Sequence, residues 1–198
     1  MSAPVTIGLV AVAGLGLGVL TVYGQRLPGG WSTLANSGAV WLVFAFAAGS
    51  LMQTDITAAA SGTGTLVGAV IGYYAAVPIV VEGAAANMRS VAIWTGTALI
   101  GGPVFGIAGR WWRREPFIRR VIALGLLSGV FVAEGLNDVR YVPTVRTAGW
   151  ALLVTGLLIP LVLGRSSRER LLGLAAMVPV ALVTFGVYQV INWSFVNL

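Results

Sequence analysis

Seven apolar runs follow one another along the chain, each close to the length that crosses a bilayer, with only short polar joints between them. They lie near residues 4–23, 37–54, 60–81, 91–109, 118–137, 147–164 and 170–194. A hydrocarbon core about 30 Å thick takes about 20 helical residues to cross. Inside it there is no water to satisfy backbone N–H and C=O groups, so each run must satisfy its own, as a helix does. The expected fold is an all-α integral membrane protein, a single transmembrane helical domain over residues 1–198 built from about seven helices. The stretch "MQTDITAAASGTG" (52–64) blurs one boundary, and a six-helix reading with one re-entrant or broken segment stays open there.

Composition agrees with the pattern. The chain is 58% hydrophobic and 9% charged, too little charge to keep a soluble domain of this length dispersed. It has no Cys and no His, and all 12 basic residues are Arg. Thiol and imidazole chemistry, Schiff-base lysines and His- or Cys-held metals are therefore excluded, and no metal or other cofactor is expected. The net charge of +6 raises nucleic acid as a partner. The arginines, however, fall almost entirely between the apolar runs, where they act as orientation signals, so the lipid bilayer is the expected partner and nucleic acid is not. "RWWRREPFIRR" (110–120) carries five arginines and "RSSRER" (165–170) three. The positive-inside rule places both joints in the cytoplasm, with the N-terminus inside and, for seven spans, the C-terminus outside. The first run lacks a basic leader and is followed by more spans, so it reads as a first transmembrane helix, not a cleaved signal.

Gly64, Gly68 and Gly72 form a small-residue stripe on one helix face, and Gly14 with Gly18 and Gly102 with Gly106 repeat the spacing. Such stripes let backbones approach where lipid supplies no hydrophobic drive between helices, and packing is the expected role. Pro78, Pro103, Pro160 and Pro179 fall inside apolar runs, where kinks are expected.

The stretch "GVFVAEGLNDVR" (129–140) then stands out, because it places Glu134 and Asp138 one turn apart after an unbroken apolar run, with Phe131 on the same face. A carboxylate facing lipid is expensive, so Glu134 is expected to face the bundle interior, a partner or a wet cavity. Glu82, Pro78 and Tyr74 step along one face of the third run. Asp55 is expected at a helix end, or as the N-cap of the third helix. Tyr23, Gln25, Arg26, Asn87, Arg89, Tyr188, Gln189, Asn192 and Trp193 gather at the same predicted external level. Headgroup-level residues and an aromatic belt account for part of this set, notably Asp138, Arg140 and Arg26. The functional alternative is a carboxylic acid in an apolar pocket, where burial disfavours the charged form and leaves a proton donor. Aromatic faces stabilise cations. Trp31, Trp41, Tyr73, Tyr74, Trp94, Phe105 and Phe131 supply them, and with Asp138 and Tyr188 they are the candidate substrate-binding residues. Asp55, Glu82 and Glu134 are the candidate acids.

As a set, "YGQRLPGGWSTLANSGAVWLVFAFAAGS" (23–50), "GYYAA" (72–76), "GGPVFGIAGRWWRREP" (101–116) and "FVAEGL" (131–136) resemble a family of small multispanning actinobacterial membrane proteins, and the resemblance covers nearly the whole chain. In size and all-helical character the chain also resembles the membrane-bound terpene cyclases of drimentine-type indole-sesquiterpenoid pathways. That likeness implies a bacterial cytoplasmic membrane location, an isoprenoid substrate borne on an indole or diketopiperazine, and cyclisation begun by protonating a farnesyl chain. Like those enzymes, the sequence has neither DDxxD nor DxDD. The competing reading is a small-molecule transporter or its membrane-embedded substrate-binding component, and a third is a non-catalytic scaffold.

Overall fold

A computed structural model describes the backbone of residues 2–197, and the side chains of these residues except Pro143, Ile191, Asn192 and 194–197. Eight α-helices follow in order: α1 (Ala3–Gly24), α2 (Gly30–Ala35), α3 (Gly38–Ser50), α4 (Asp55–Val80), α5 (Met88–Arg114), α6 (Phe117–Tyr141), α7 (Arg146–Leu163) and α8 (Ser167–Asn197). The described residues contain no strand. Short α2 and α3 together make one apolar span, Gly30–Ser50, and α1, α4, α5, α7 and α8 are each long and apolar enough to cross a membrane. Helix α6 has 25 residues, about 38 Å at 1.5 Å per residue, and is the seventh of bilayer length. The protein is a multi-pass helical membrane protein.

Because the joints are short, successive long helices run antiparallel and the bundle has two ends. One gathers the starts of α4, α6 and α8 with the last turn of α5; the arginine-rich joints lie here, and it is called the arginine end below. The other gathers the starts of α3 and α5 with the last turns of α4 and α6. Helix α6 is the hub, packed against α8, α7, α5 and α3, and it buries residues on every side from Val121 to Asp138. Helix α1 is peripheral and packs mainly on α4.

The glycine stripes hold these helices at backbone contact. A Cβ on Gly14 would fall 2.1 Å from the Thr65 carbonyl oxygen, and one on Gly72 would fall 2.1 Å from that of Leu15. Gly49, Gly62 and Gly106 bring α3, α4 and α5 together in the same way, with a Gly106 Cβ 2.1 Å from the Ala58 oxygen. Gly64 is looser, its nearest neighbour being the Ala11 side chain at 3.5 Å. Dispersion contacts of this kind are what association in lipid relies on.

The second span covers Gly30–Ser50 rather than 37–54, and two expectations for the third span differ. The third span begins at Asp55 rather than near residue 60, because Thr54 caps it: its Oγ1 accepts the Thr57 N–H at 3.2 Å in a capping box. Asp55 is thus the first helical residue, not the cap. The same helix ends at Val80, so Glu82 falls in the following turn, where Gly83 takes a positive φ of 76°. Glu82 does not continue the helical face of Tyr74 and Pro78.

Candidate functional site

Ser37 starts α3. Its side chain accepts the Val40 N–H, which leaves the N–H groups of Gly38 and Ala39 pointing out of the helix start, unpaired within it. Glu134 of α6 fills that position. Its Oε1 accepts from Gly38 N at 3.2 Å, and its Oε2 from Ala39 N at 2.7 Å and from the Tyr188 hydroxyl of α8 at 2.6 Å. The side chain is 6% exposed. A carboxylate at a helix start meets the positive end of the helix dipole and free donors, so one acid ties three helices together.

Beside this junction is a cavity of about 240 Å³ lined by Trp41, Tyr73, Tyr74 and Trp94, with Asn36, Asn87 and Ser90 among its polar walls. A deeper, apolar chamber of about 110 Å³ shares Gly38, Trp41 and Trp94 with it and continues between Leu42, Leu66, Val70, Val130, Thr184 and Tyr188. The rings are fixed by hydrogen bonds and by each other. Trp41 Nε1–H donates to Thr21 Oγ1 at 3.2 Å, and the Tyr73 hydroxyl donates to Gln25 Oε1 at 3.1 Å. Tyr73 meets Trp41 and Tyr74 edge to face, with centroids 6.2 and 5.0 Å apart. Gly38 sits where the chambers meet. A Cβ there would lie 3.3 Å from the Tyr188 hydroxyl, 3.6 Å from Glu134 Oε2 and 3.9 Å from the Trp94 ring.

Of the residues singled out in the sequence, Trp41, Tyr73, Tyr74, Trp94, Glu134 and Tyr188 come together here. The others do not. Trp31 lies on α2 and is 67% exposed. Phe105 and Phe131 are buried in the packed core of the bundle, and neither lines the two chambers. Asp138 is buried one turn beyond Glu134 and accepts from Asn137 Nδ2 at 3.3 Å. Glu82 is exposed in its turn.

Asp55 is at the opposite end of α3, some 20 Å from Glu134 at 1.5 Å per residue over 13 residues. It accepts from Arg110 Nη1 at 2.8 Å and from Trp111 Nε1 at 3.1 Å. Asn36, Gly38 and Ser90 were not singled out in the sequence. The side chain of Asn192 lies outside the described residues. Among the described residues, no cluster of acidic side chains is placed to hold a metal ion.

The described residues thus form an apolar helical bundle with a ring-lined cavity at one end, the class of multi-pass helical membrane proteins. Residues 1–193 match the family of unknown function DUF6518, and the chain belongs to that family. No curated protein and no solved structure matches it.

Proposed function

We propose that the protein is a membrane-embedded binding component, or transporter, for a small and largely apolar molecule held between Trp41, Tyr73, Tyr74 and Trp94. The observation that carries this reading is the paired chamber beside Glu134: rings on the walls, amide and hydroxyl groups at one end, aliphatic side chains at the other. The two volumes together fall at the small end of the roughly 300–1,000 Å³ range of small-molecule sites, which are likewise mostly apolar with a few placed polar groups. Glu134 serves this site as a brace, bonded to Gly38 and Tyr188 of its lining, and both of its oxygens are already taken as acceptors. In this reading the arginine end faces the cytoplasm and the chamber lies toward the outer face, as the positive-inside rule favours.

The test is to purify the protein in lipid nanodiscs from a native-type membrane and identify small molecules that travel with it by mass spectrometry. One compound enriched in wild type and lost in Trp41→Ala is the expected result. Equal lipid-like background in both proteins would remove the reading.

A second reading is the proton-initiated terpene cyclase, favoured by a buried carboxyl group bonded to Gly38 and Tyr188, which line the inner chamber. Of the three candidate acids only Glu134 is at that cavity. It would give its proton to the chain end past Tyr188, ring faces would stabilise the cation, and a carboxylate or carbonyl would accept the last proton. A farnesylated indole converted to an isomer of unchanged mass, with Glu134→Gln inactive and Asp55→Asn active, would support this reading. An unchanged substrate would leave the binding reading alone in the field.

A further inference from the structure

Helices α5 and α8 both pack on α6 yet barely touch one another among the described residues. The gap between them is an apolar crevice of about 460 Å³, walled by Gly101 and Val104 of α5 and Val180 and Val183 of α8, with Val130 of α6 along it. Val130 and Thr184 line both this crevice and the inner chamber, so the ring-lined site, the inner chamber and the crevice adjoin one another in a row through shared walls. Its length can be read along the helices. Trp94 to Val104 is ten residues, about 15 Å at 1.5 Å per residue. Val104 is 41% and Val183 70% exposed, and on an apolar span such exposure faces lipid. The outer chamber differs in character: Asn36, Asn87 and Ser90 line it, and no charged side chain does.

We infer that the ligand is a single-tailed, membrane-dissolved molecule whose uncharged polar head lies among Asn36, Asn87 and Ser90 while its alkyl or prenyl tail passes Gly38 and runs along the α5–α8 seam. This inference rests on the binding reading above and adds the shape and chemical class of the occupant. It also assigns the route: the molecule enters sideways from the bilayer, tail in the seam, and the rings then close on its head. Thr184 stands at the junction of chamber and seam, where a larger side chain would block the tail and spare the head. A charged head is disfavoured, because the chamber offers no counter-ion and desolvating a charge is costly.

The probe is N-dodecylbenzamide carrying a diazirine on its last carbon, with N-methylbenzamide as a tail-less competitor, both added to protein in phosphatidylcholine nanodiscs. After irradiation, adducts are expected on α5 within residues 100–104 and on α8 within residues 179–184. They should fall by about ten-fold when the competitor is present at about ten times its Kd, as mass action requires. Thr184→Trp should lose the seam adducts while still binding N-methylbenzamide, read by tryptophan fluorescence. Leu182→Trp, on α8 but outside the crevice and 69% exposed, should keep them. Adducts spread over the lipid faces of α1 and α7 and indifferent to competitor would overturn the inference, as would seam adducts untouched by Thr184→Trp. If N-methylbenzamide binds but the tail labels elsewhere, the inference fails and the chamber stands. If N-methylbenzamide leaves the fluorescence unchanged, the chamber reading fails and takes the inference with it.

Discussion

The two ends of the bundle treat carboxylates differently. At the arginine end every acid has a guanidinium: Asp55 and Glu115 share Arg110, Glu115 also meets Arg119, and Glu169 is gripped by Arg120. Backbone groups reinforce these pairs, with Arg165 N donating to Glu169 Oε2 at 2.8 Å and Arg110 Nε donating to the Gln53 carbonyl at 2.8 Å. Arg119 and Arg165 also lie over the rings of Trp111 and Trp112. At the other end Glu134 receives no arginine. Its donors are a helix start and a tyrosine, and a cavity opens beside it. Ion pairs fill space and close the arginine end; backbone donors hold a carboxylate in place with little bulk, which leaves room for a chamber.

The contrast can be broken at either end. The largest effect is expected from Glu134→Ala, which strands the buried Ala39 N–H, the part-buried Gly38 N–H and the Tyr188 hydroxyl. At roughly 1–3 kcal/mol for each unsatisfied group, partly relieved by relaxation, the loss should be about 4 kcal/mol of stability. Unfolding of the protein in mixed micelles with increasing SDS measures it, and a change under 1 kcal/mol would show that the junction is not structural. Next comes Arg120→Ala. It leaves Glu169, 2% exposed, without its cation, and breaking a buried pair costs about 3–5 kcal/mol. A loss of about 3 kcal/mol is expected, at the lower end because Arg120 itself is 20% exposed. Replacing both partners, Arg120→Met with Glu169→Leu, should recover most of it; no recovery would contradict the pairing argument.

Smaller effects sharpen the comparison. Trp94→Ala removes a ring shared by both chambers and should weaken ligand retention by at least ten-fold, equivalent to about 1.4 kcal/mol. Stability should change less than affinity, which a co-purification assay beside an unfolding curve will reveal. The smallest effect belongs to Asp55→Asn. The Arg110 pair involves an Asp55 side chain that is 43% exposed, and such pairs contribute about 0–1 kcal/mol and less in high salt. Retention should not change. Loss of the ligand here with retention in Trp94→Ala would reverse the assignment of the ends.

Much of the architecture was legible from the sequence, since apolar length and arginine placement are one-dimensional signals. Six of the seven runs became single long helices and the second became the α2–α3 pair, and the glycine spacing marked where backbones meet. Local capping was less legible: Asp55 was expected as a possible N-cap where Thr54 serves, and Ser37, a helix-start residue type before an apolar run, caps α3. The partner of that start was not, because Glu134 lies 96 residues further along and nothing in either segment names the other. Aromatic residues posed the opposite difficulty. Trp31 and Trp94 read alike in sequence, yet one sits on a short exposed helix and the other on a cavity wall, and only helix packing separates them. Asp55 and Glu134 are both candidate acids in the sequence, and what separates them is Arg110 beside the first. Asn36, Gly38 and Ser90 carry no signal beyond being small or polar near helix ends, a property shared with many loop residues.

A ligand of the proposed kind would sit in the ring-lined chamber at the Glu134 end. Fluorine NMR of protein labelled with 5-fluorotryptophan tests it directly, with each resonance assigned by single Trp→Phe replacement. Adding an extract of native membrane lipids and metabolites to delipidated protein should move the Trp41 and Trp94 signals and leave Trp111 and Trp112 in place. Movement of Trp111 and Trp112 with Trp41 and Trp94 unmoved would contradict it.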